Sequence, residues 1–381
     1  MLVIQYALIF SSVLALVALG GMFAERSGVI NLGLEGIMVI GALAGSIVSA
    51  ILTKIGVPNI LNVVISMACA MGAGWLFSML LGIACISFKA DQTLVGTALN
   101  IMSTALAVVV ARMYTKTPSS EIAYVSSMFK IKIDIQFGFI IAIIVAILFL
   151  GLVIFLKTKK GKNILNNTNS ILKKTRRERG LFGLGFIGRT IGILAIIIIL
   201  ILGLKTTYGE ALDLKLEISW FLPIMIIIVF ASYIFLYKTK FGMRLMACGE
   251  HPQAAGSVGI NVYFQRYLGV SISGVLGGLG GFAYIIQSAG CWDFKYGVAG
   301  FGFLALAVMI FGQWKPIRIL LSALIFGLCQ TISVLYAGKW GIPQFVYKML
   351  PYVVCMIVLI MTSRKSKAPK AEGIPYDKGQ R

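Results

Sequence analysis

The 381 residues are 59% hydrophobic and only 12% charged, which excludes a water-facing domain of any size and places the chain in the membrane class. A formal charge of +21 raises the question of nucleic acid, but no basic, aromatic-studded globular segment exists to present it to a phosphate backbone. Orientation in a lipid bilayer explains the charge better, and no nucleic-acid partner is expected.

Apolar runs long enough for a hydrocarbon core of roughly 30 Å occur near residues 5–23, 33–53, 60–87, 93–113, 138–156, 187–204, 219–237, 267–288, 299–313, 316–337 and 346–362. The run at 299–313 is short, and the one at 60–87 is long enough to tilt or to hide a break. These runs predict an all-α, polytopic integral membrane protein of about nine to eleven transmembrane helices, with the membrane domain over residues 1–363. The first basic residue is Arg26, so the opening run reads as a retained span rather than a cleaved signal.

Residues 25–36, ERSGVINLGLEG, join the first two runs and gather Glu25, Arg26, Asn31 and Glu35 among glycines. Polar groups at membrane depth face a cavity or one another, and irregular backbone is tolerated there only beside water or protein. Gly28, Gly33 and Gly36 therefore predict close packing or a broken helix, with Asn31 and Glu35 pointing inward. Glu25 and Arg26 read as an interfacial pair ending the first span. In residues 88–100, FKADQTLVGTALN, Lys89 and Asp91 suit an interfacial turn, and Gln92, Thr97 and Asn100 enter the next span. Gln92, Gly96 and Asn100 share one helix face. Such a seam either lines a permeation path or bonds a neighbouring helix. Amides would offer donors and acceptors to a cargo rich in hydroxyls and ring nitrogens.

Residues 157–180 hold nine Lys and Arg and read as a cytoplasmic loop beside anionic headgroups. Trp220, Trp292 and Trp340 fit an outer interfacial belt and Trp314 an inner one. The long polar stretch at 241–267 is either a solvent loop or a docking surface. Arg244 continues a helix, Gly249 permits a turn, and Pro252 opens a short helix bearing Ala254 and Ala255, loosened by Gly256 and Gly259. Small residues on a short helix make a smooth knob for a partner's groove. Placing 238–266 in the cytoplasm and alternating outward leaves most of the 34 Lys and Arg inside. The N-terminus then lies outside, unless residues 25–36 re-enter, and the C-terminus inside.

Further on, SISGVLGGLGG at 271–281 allows close helix approach. The G-V-x-x-F-G at 297–302 matches G-V-x-x-L-G at 28–33, a hint of internal duplication. The tail at 364–381, RKSKAPKAEGIPYDKGQR, reads as mobile and cytoplasmic. Six scattered cysteines read as small core hydrophobes, and a single histidine, His251, excludes a His-rich metal site, so neither metal nor cofactor is expected. The chain lacks G-x-x-x-x-G-K-[ST], H-E-x-x-H and G-x-S-x-G, so no catalytic residue is expected and the chain reads as a transport subunit, not an enzyme.

Together, ERSGVINLGLEG, F-K-A-D-Q with Asn100, FGMRLMACGEHPQAAGSVGIN, SGVLGGLGG, GFGFLALAVMIFGQWKP and the terminal GIPY resemble the ABC importer permease family of branched-chain amino acid and ribose permeases. The resemblance is closest to its bacterial nucleoside-uptake branch and covers roughly residues 5–115 and 218–376. It implies an ABC importer permease fold in the bacterial cytoplasmic membrane. It also implies a second related permease, an ABC ATPase and an extracellular lipoprotein that captures nucleosides. On it, Arg244, Gly249, Glu250, Pro252, Ala254, Ala255, Gly259 and Ile260 would form the ATPase-coupling region, within a cytoplasmic coupling loop at 238–266. The polar residues Asn31, Glu35, Gln92, Thr97 and Asn100 are the candidates for the substrate path. Residues 120–217 exceed the family pattern and read as an inserted helical hairpin around a basic loop at 157–186. Sugar or branched-chain amino acid cargo, and an ion-driven secondary transporter using Glu35, are the alternatives.

Overall fold

The computed structural model describes residues 2–116, 122–123, 130–133, 216–219, 221–289, 291–292, 297–337, 343–362 and 368–377. Several of its helices begin where a side-chain cap or a proline settles backbone groups that a bilayer would leave bare. α1 (Leu2–Arg26) and α2 (Leu34–Ile55) flank an irregular turn. α3 (Asn59–Gly82) continues into a wide π turn at Ile83–Ser87, the break that the long run at 60–87 foreshadowed. α4 (Gln92–Thr115) is capped by Asp91, whose Oδ1 accepts from the backbone N–H of Thr93 at 2.8 Å and of Leu94 at 2.9 Å.

After α5 (Phe221–Lys238), Thr239 caps α6 (Lys240–Glu250), and Pro252 occupies the first turn of α7 (Pro252–Ser257). Asn261 caps α8 (Val262–Tyr284), which ends in a second π turn at Ile285–Ala289. The chain closes with α9 (Phe301–Phe311), α10 (Pro316–Leu335) and α11 (Gln344–Thr362). Seven of these helices are long and apolar enough to cross a membrane. The run at 299–313 yields only the 11-residue α9.

Short strands supplement the helices. β1 (Ile122–Ala123) pairs antiparallel with β4 (Cys291–Trp292), and β2 (Lys130–Ile133) forms a second two-stranded sheet with β3 (Leu216–Ser219). The chain divides into one unit of residues 1–131 and 218–381 and another of residues 132–217. The second is described only at its two ends, so the expected spans at 138–156 and 187–204 and the basic loop at 157–186 lie outside the described residues.

Within the first unit α8 is the axis, packed against α1, α2 and α3, while α1 also meets α5, α9 and α10. Glycine makes this possible. A methyl on Gly278 would run into the carbonyl of Ala70, one on Gly41 into the backbone of Gly278, and one on Gly281 into the carbonyl of Met38. Lipid tails are as apolar as leucine, so the helices gain most from contact this close.

Two tryptophans expected in interfacial belts are instead buried. Trp292 is 1% exposed, drawn in by its strand pairing with Ile122, and Trp314 is 3% exposed because its indole has a polar partner inside the protein. Trp220 and Trp340 lie outside the described residues. One end of the unit gathers the residues that charge counting assigns to the cytoplasm: Arg26 lies 3.9 Å from Glu250, and Lys89 lies 3.0 Å from Asp377.

Packing of this kind predicts a contrast between two glycines. Gly278→Ala forces backbones apart at a cost of about 1–3 kcal/mol, whereas Gly72→Ala meets nothing within 4 Å. Thermal unfolding in detergent should show a clear loss for the first variant and none for the second.

Candidate functional site

The irregular turn at residues 27–33 is the first half of the site. Gly28 has φ +93°, a conformation that a side chain disfavours, and it turns the chain back before α2 begins. The backbone groups released by the break are taken up by the polar side chains that stood out in the sequence. The Ile30 N–H donates to Gln92 Oε1 at 2.7 Å, and the Gly36 N–H donates to Asn100 Oδ1 at 2.8 Å. Asn100 Nδ2 in turn donates to the Leu32 carbonyl at 2.9 Å. Asn31 Nδ2 donates to Ser273 Oγ on α8 at 2.8 Å. Gly96 admits the turn, since a methyl there would lie 2.9 Å from Leu32 Cβ. Gln92 and Asn100 thus bond a neighbouring segment, one of the two roles left open for their seam. Thr97 stands apart, exposed and bonded only to carbonyls of its own helix.

Glu35 caps a second broken helix. Its carboxylate accepts from the backbone N–H of Gly300 at 2.9 Å and of Gly302 at 2.6 Å, at the start of α9. Gly300 is itself left-handed, with φ +77°. The first G-V-x-x-[LF]-G copy ends just before α2 and the second runs into the first two residues of α9, and Glu35, just past the first, holds the second. Two buried polar atoms in this region, Asn31 Oδ1 and Gln92 Nε2, have no hydrogen-bond partner among the described residues.

Glu25 and Arg26 do not form the interfacial pair expected of them. Glu25 is buried and accepts from Trp314 Nε1 at 2.5 Å, while Arg26 donates to the Trp314 carbonyl at 3.2 Å through Nη2 and reaches Glu250. Trp314, in a left-handed conformation with φ +52°, is turned inward between them. Each side chain finds its partner across the fold rather than beside it.

The docking half of the site is α6, the turn at His251, and α7. Gly249 lies inside α6 rather than at the turn, which falls at His251. Its lack of a side chain serves proximity: a methyl there would run into the Arg26 carbonyl and lie 3.3 Å from the Gly28 amide. Ala255 is buried, while Arg244, Gln253, Ala254 and Gly259 are exposed and Glu250, Pro252 and Ile260 half-buried. Exposed apolar side chains accompany them at Met243, Val258 and Phe264. Motif spacing did not reveal these three, although apolar residues in a polar loop are a usable signal.

A further element was unforeseen. Composition led to a mobile tail, yet residues 368–377 are packed against the loop. The Ala371 N–H donates to the Gly249 carbonyl at 2.9 Å, and the Gly373 N–H donates to the Gly28 carbonyl at 3.3 Å. Arg266, 1% exposed, donates to the Ile374 carbonyl at 2.9 Å. Tyr376 completes a small core with Cys248, Ala255 and Val262. Burial pushes the Cys248 thiol up to about 11. Burial also raises the Glu372 carboxyl, against the pull of a hydrogen bond with Glu25 and of nearby Arg26.

A polytopic helical unit with paired broken helices and a small-residue knob at one end defines a membrane permease. The family model described as branched-chain amino acid transport system / permease component matches residues 3–171 and 168–360, and the chain belongs to that family. It is similar to the guanosine ABC transporter permease protein NupQ of Bacillus subtilis (strain 168), with 33% identity over 100% of this chain and 98% of that protein. It is likewise similar to the nucleoside ABC transporter permease protein NupC of Lactococcus lactis subsp. cremoris (strain MG1363), with 32% identity over 100% and 98%. The glucose ABC transporter permease protein TsgB13 of Haloferax volcanii shares 24% identity over 45% of this chain and 44% of its own. No solved structure matches significantly.

The hydrogen bonds of the turn predict unequal effects along α4. Asn100→Leu strands the Gly36 N–H and the Leu32 carbonyl inside the membrane, at a cost of about 1–3 kcal/mol for each group. Thr97→Val removes only a bond within its own helix. Unfolding midpoints of the two purified variants should separate accordingly, with Asn100→Leu well below Thr97→Val.

Proposed function

We propose that this chain is a membrane-spanning permease subunit of an ATP-driven importer in the bacterial cytoplasmic membrane, with nucleosides as its cargo. Identity of 33% and 32% over the whole chain to a guanosine and a nucleoside permease supports this cargo over sugar, since a putative glucose permease of Haloferax volcanii shares 25% over 85% of this chain. A separate ABC ATPase supplies the hydrolysis, because the sequence has no phosphate-cradling loop of its own. A second related permease and an extracellular substrate-binding lipoprotein complete the assembly.

The observation that carries this reading is the build of α7. Pro252 starts the helix, Ala255 anchors it in a small core, and Ala254 stands clear on its outer side. Arg244, Gly249, Glu250, Pro252, Ala254, Ala255, Gly259 and Ile260 form the coupling region, with Met243, Val258 and Phe264 widening the contact. Glu250 links this region through Arg26 to the end of α1, so a push on the knob reaches a membrane helix.

The cargo path runs along the broken segment at Asn31 and Glu35. The unpartnered Asn31 Oδ1 and Gln92 Nε2 supply an acceptor and a donor that suit a nucleoside's ring and hydroxyls once alternating access exposes them. Gln92 and Asn100 act chiefly by holding the turn in shape, and Thr97 lies on the accessible face of α4. An ion-driven carrier is disfavoured because the half-buried Glu35 carboxylate is already engaged by two backbone amides.

The test is uptake by the full transporter in cells. Labelled guanosine should accumulate by a saturable, ATP-dependent process that unlabelled nucleosides compete away, and Ala255→Trp should abolish it with membrane insertion intact. Competition by leucine or glucose alone would overturn the cargo, and unchanged uptake by Ala255→Trp the docking role.

A further inference from the structure

Resting on that reading of α7, we infer that residues 371–377 form a strap that holds the coupling helix to the membrane helices so that the two move as one body. A six-residue helix makes few contacts of its own, and α7 is followed by Val258 and by Gly259 with φ +84°, a flexible exit. Something must resist its rotation if force is to pass through it. The strap is placed to do this from three sides.

From the loop side, Ala371 bonds the Gly249 carbonyl at 2.9 Å, and Gln253 Nε2 on α7 donates to the Asp377 carbonyl at 2.9 Å. The Tyr376 hydroxyl sits where a side chain on Gly256 would be, so that glycine and that tyrosine fit together. From α8, Arg266 bonds the Ile374 carbonyl, and Tyr263 donates to the Tyr376 carbonyl at 3.3 Å, with the two rings crossed at 67° and 5.3 Å apart. From the remaining side, Gly373 bonds the Gly28 carbonyl, and Lys89, on the turn before α4, pairs with Asp377 at 3.0 Å.

The strap therefore ties α7 to the turn before α2, to α8 and to the approach to α4, the elements that surround the broken segment. Five of these six ties engage a backbone group of the strap, and an unmade partner is costly where such a group is buried. They act as a positioning device. Without them α7 keeps its docking face but turns against its seat, and hydrolysis by the partner is no longer delivered to the path.

The experiment uses the assembled transporter in proteoliposomes, with Cys248 as the single remaining cysteine. Three variants are compared with wild type: truncation after residue 367, Tyr376→Ala and Tyr376→Phe. Alkylation of Cys248 reads release of the strap, the ratio of nucleoside imported to ATP hydrolysed reads coupling, and, in a parallel set with Cys248 also replaced, cross-linking from Ala254→Cys reads ATPase docking. The truncation and Tyr376→Ala should alkylate several-fold faster and import several-fold less per ATP with the cross-link retained, while Tyr376→Phe stays near wild type. An unchanged import ratio in Tyr376→Ala, or unchanged alkylation, overturns the strap; this variant decides the matter if the truncation fails to assemble. Absence of the cross-link in wild type overturns the docking role of α7 instead, so the two readings fail separately.

Discussion

Close approach of backbones around α8 is the constraint on which the structure rests. In water, helices associate because burial removes apolar surface from solvent; in lipid that drive is gone, and contact distance takes its place. Gly278 meets the backbones of α2 and α3 together, through Gly41, Ala70 and Gly74, while Gly277 accommodates Ile37 and Gly280 accommodates Val17. This packing holds α1, α2 and α3 against one axis.

That frame permits the helix breaks. A turn at membrane depth is tolerable only when its backbone groups are bonded, and here amides on α4 bond them while a serine on α8 accepts from the Asn31 side chain. Through these bonds Gln92 and Asn100 of α4 hold the turn in shape. Glu35 links the start of α2 directly to the start of α9 through two hydrogen bonds. Trp314 repeats the arrangement at the other end of α9, joining it to Glu25 and Arg26.

Arg26 and Gly28 connect this interior to the polar loop that carries α6 and α7. One bonds toward α6 and the other toward the C-terminal segment, within two residues of each other. The knob, the segment over it and the broken turn beneath it thus share a short chain of contacts, and the polar loop becomes a part of the permease core rather than an appendage.

The helices themselves were legible from hydropathy, because a bilayer demands long apolar runs with satisfied backbones, and α6 and α7 were legible from the helix-starting proline and the spacing of small residues. The break at residues 27–33 was legible from glycines among ionisable groups. What the sequence left open was the use of each polar side chain. The seam of Gln92 and Asn100 suits cargo and backbone equally well until the distance to Ile30 and Gly36 is known. Glu25 and Arg26 look like a local pair because adjacency is visible and Trp314, nearly 290 residues away, is not. The tail has the composition of a mobile end, and its order comes from carbonyls and a tyrosine pocket supplied by distant segments. Local chemistry alone determines where this chain enters lipid, where it breaks and where it offers a knob. Only the tertiary structure decides which groups satisfy one another, since a hydrogen bond depends on separations of about 3 Å that no sequence spacing records.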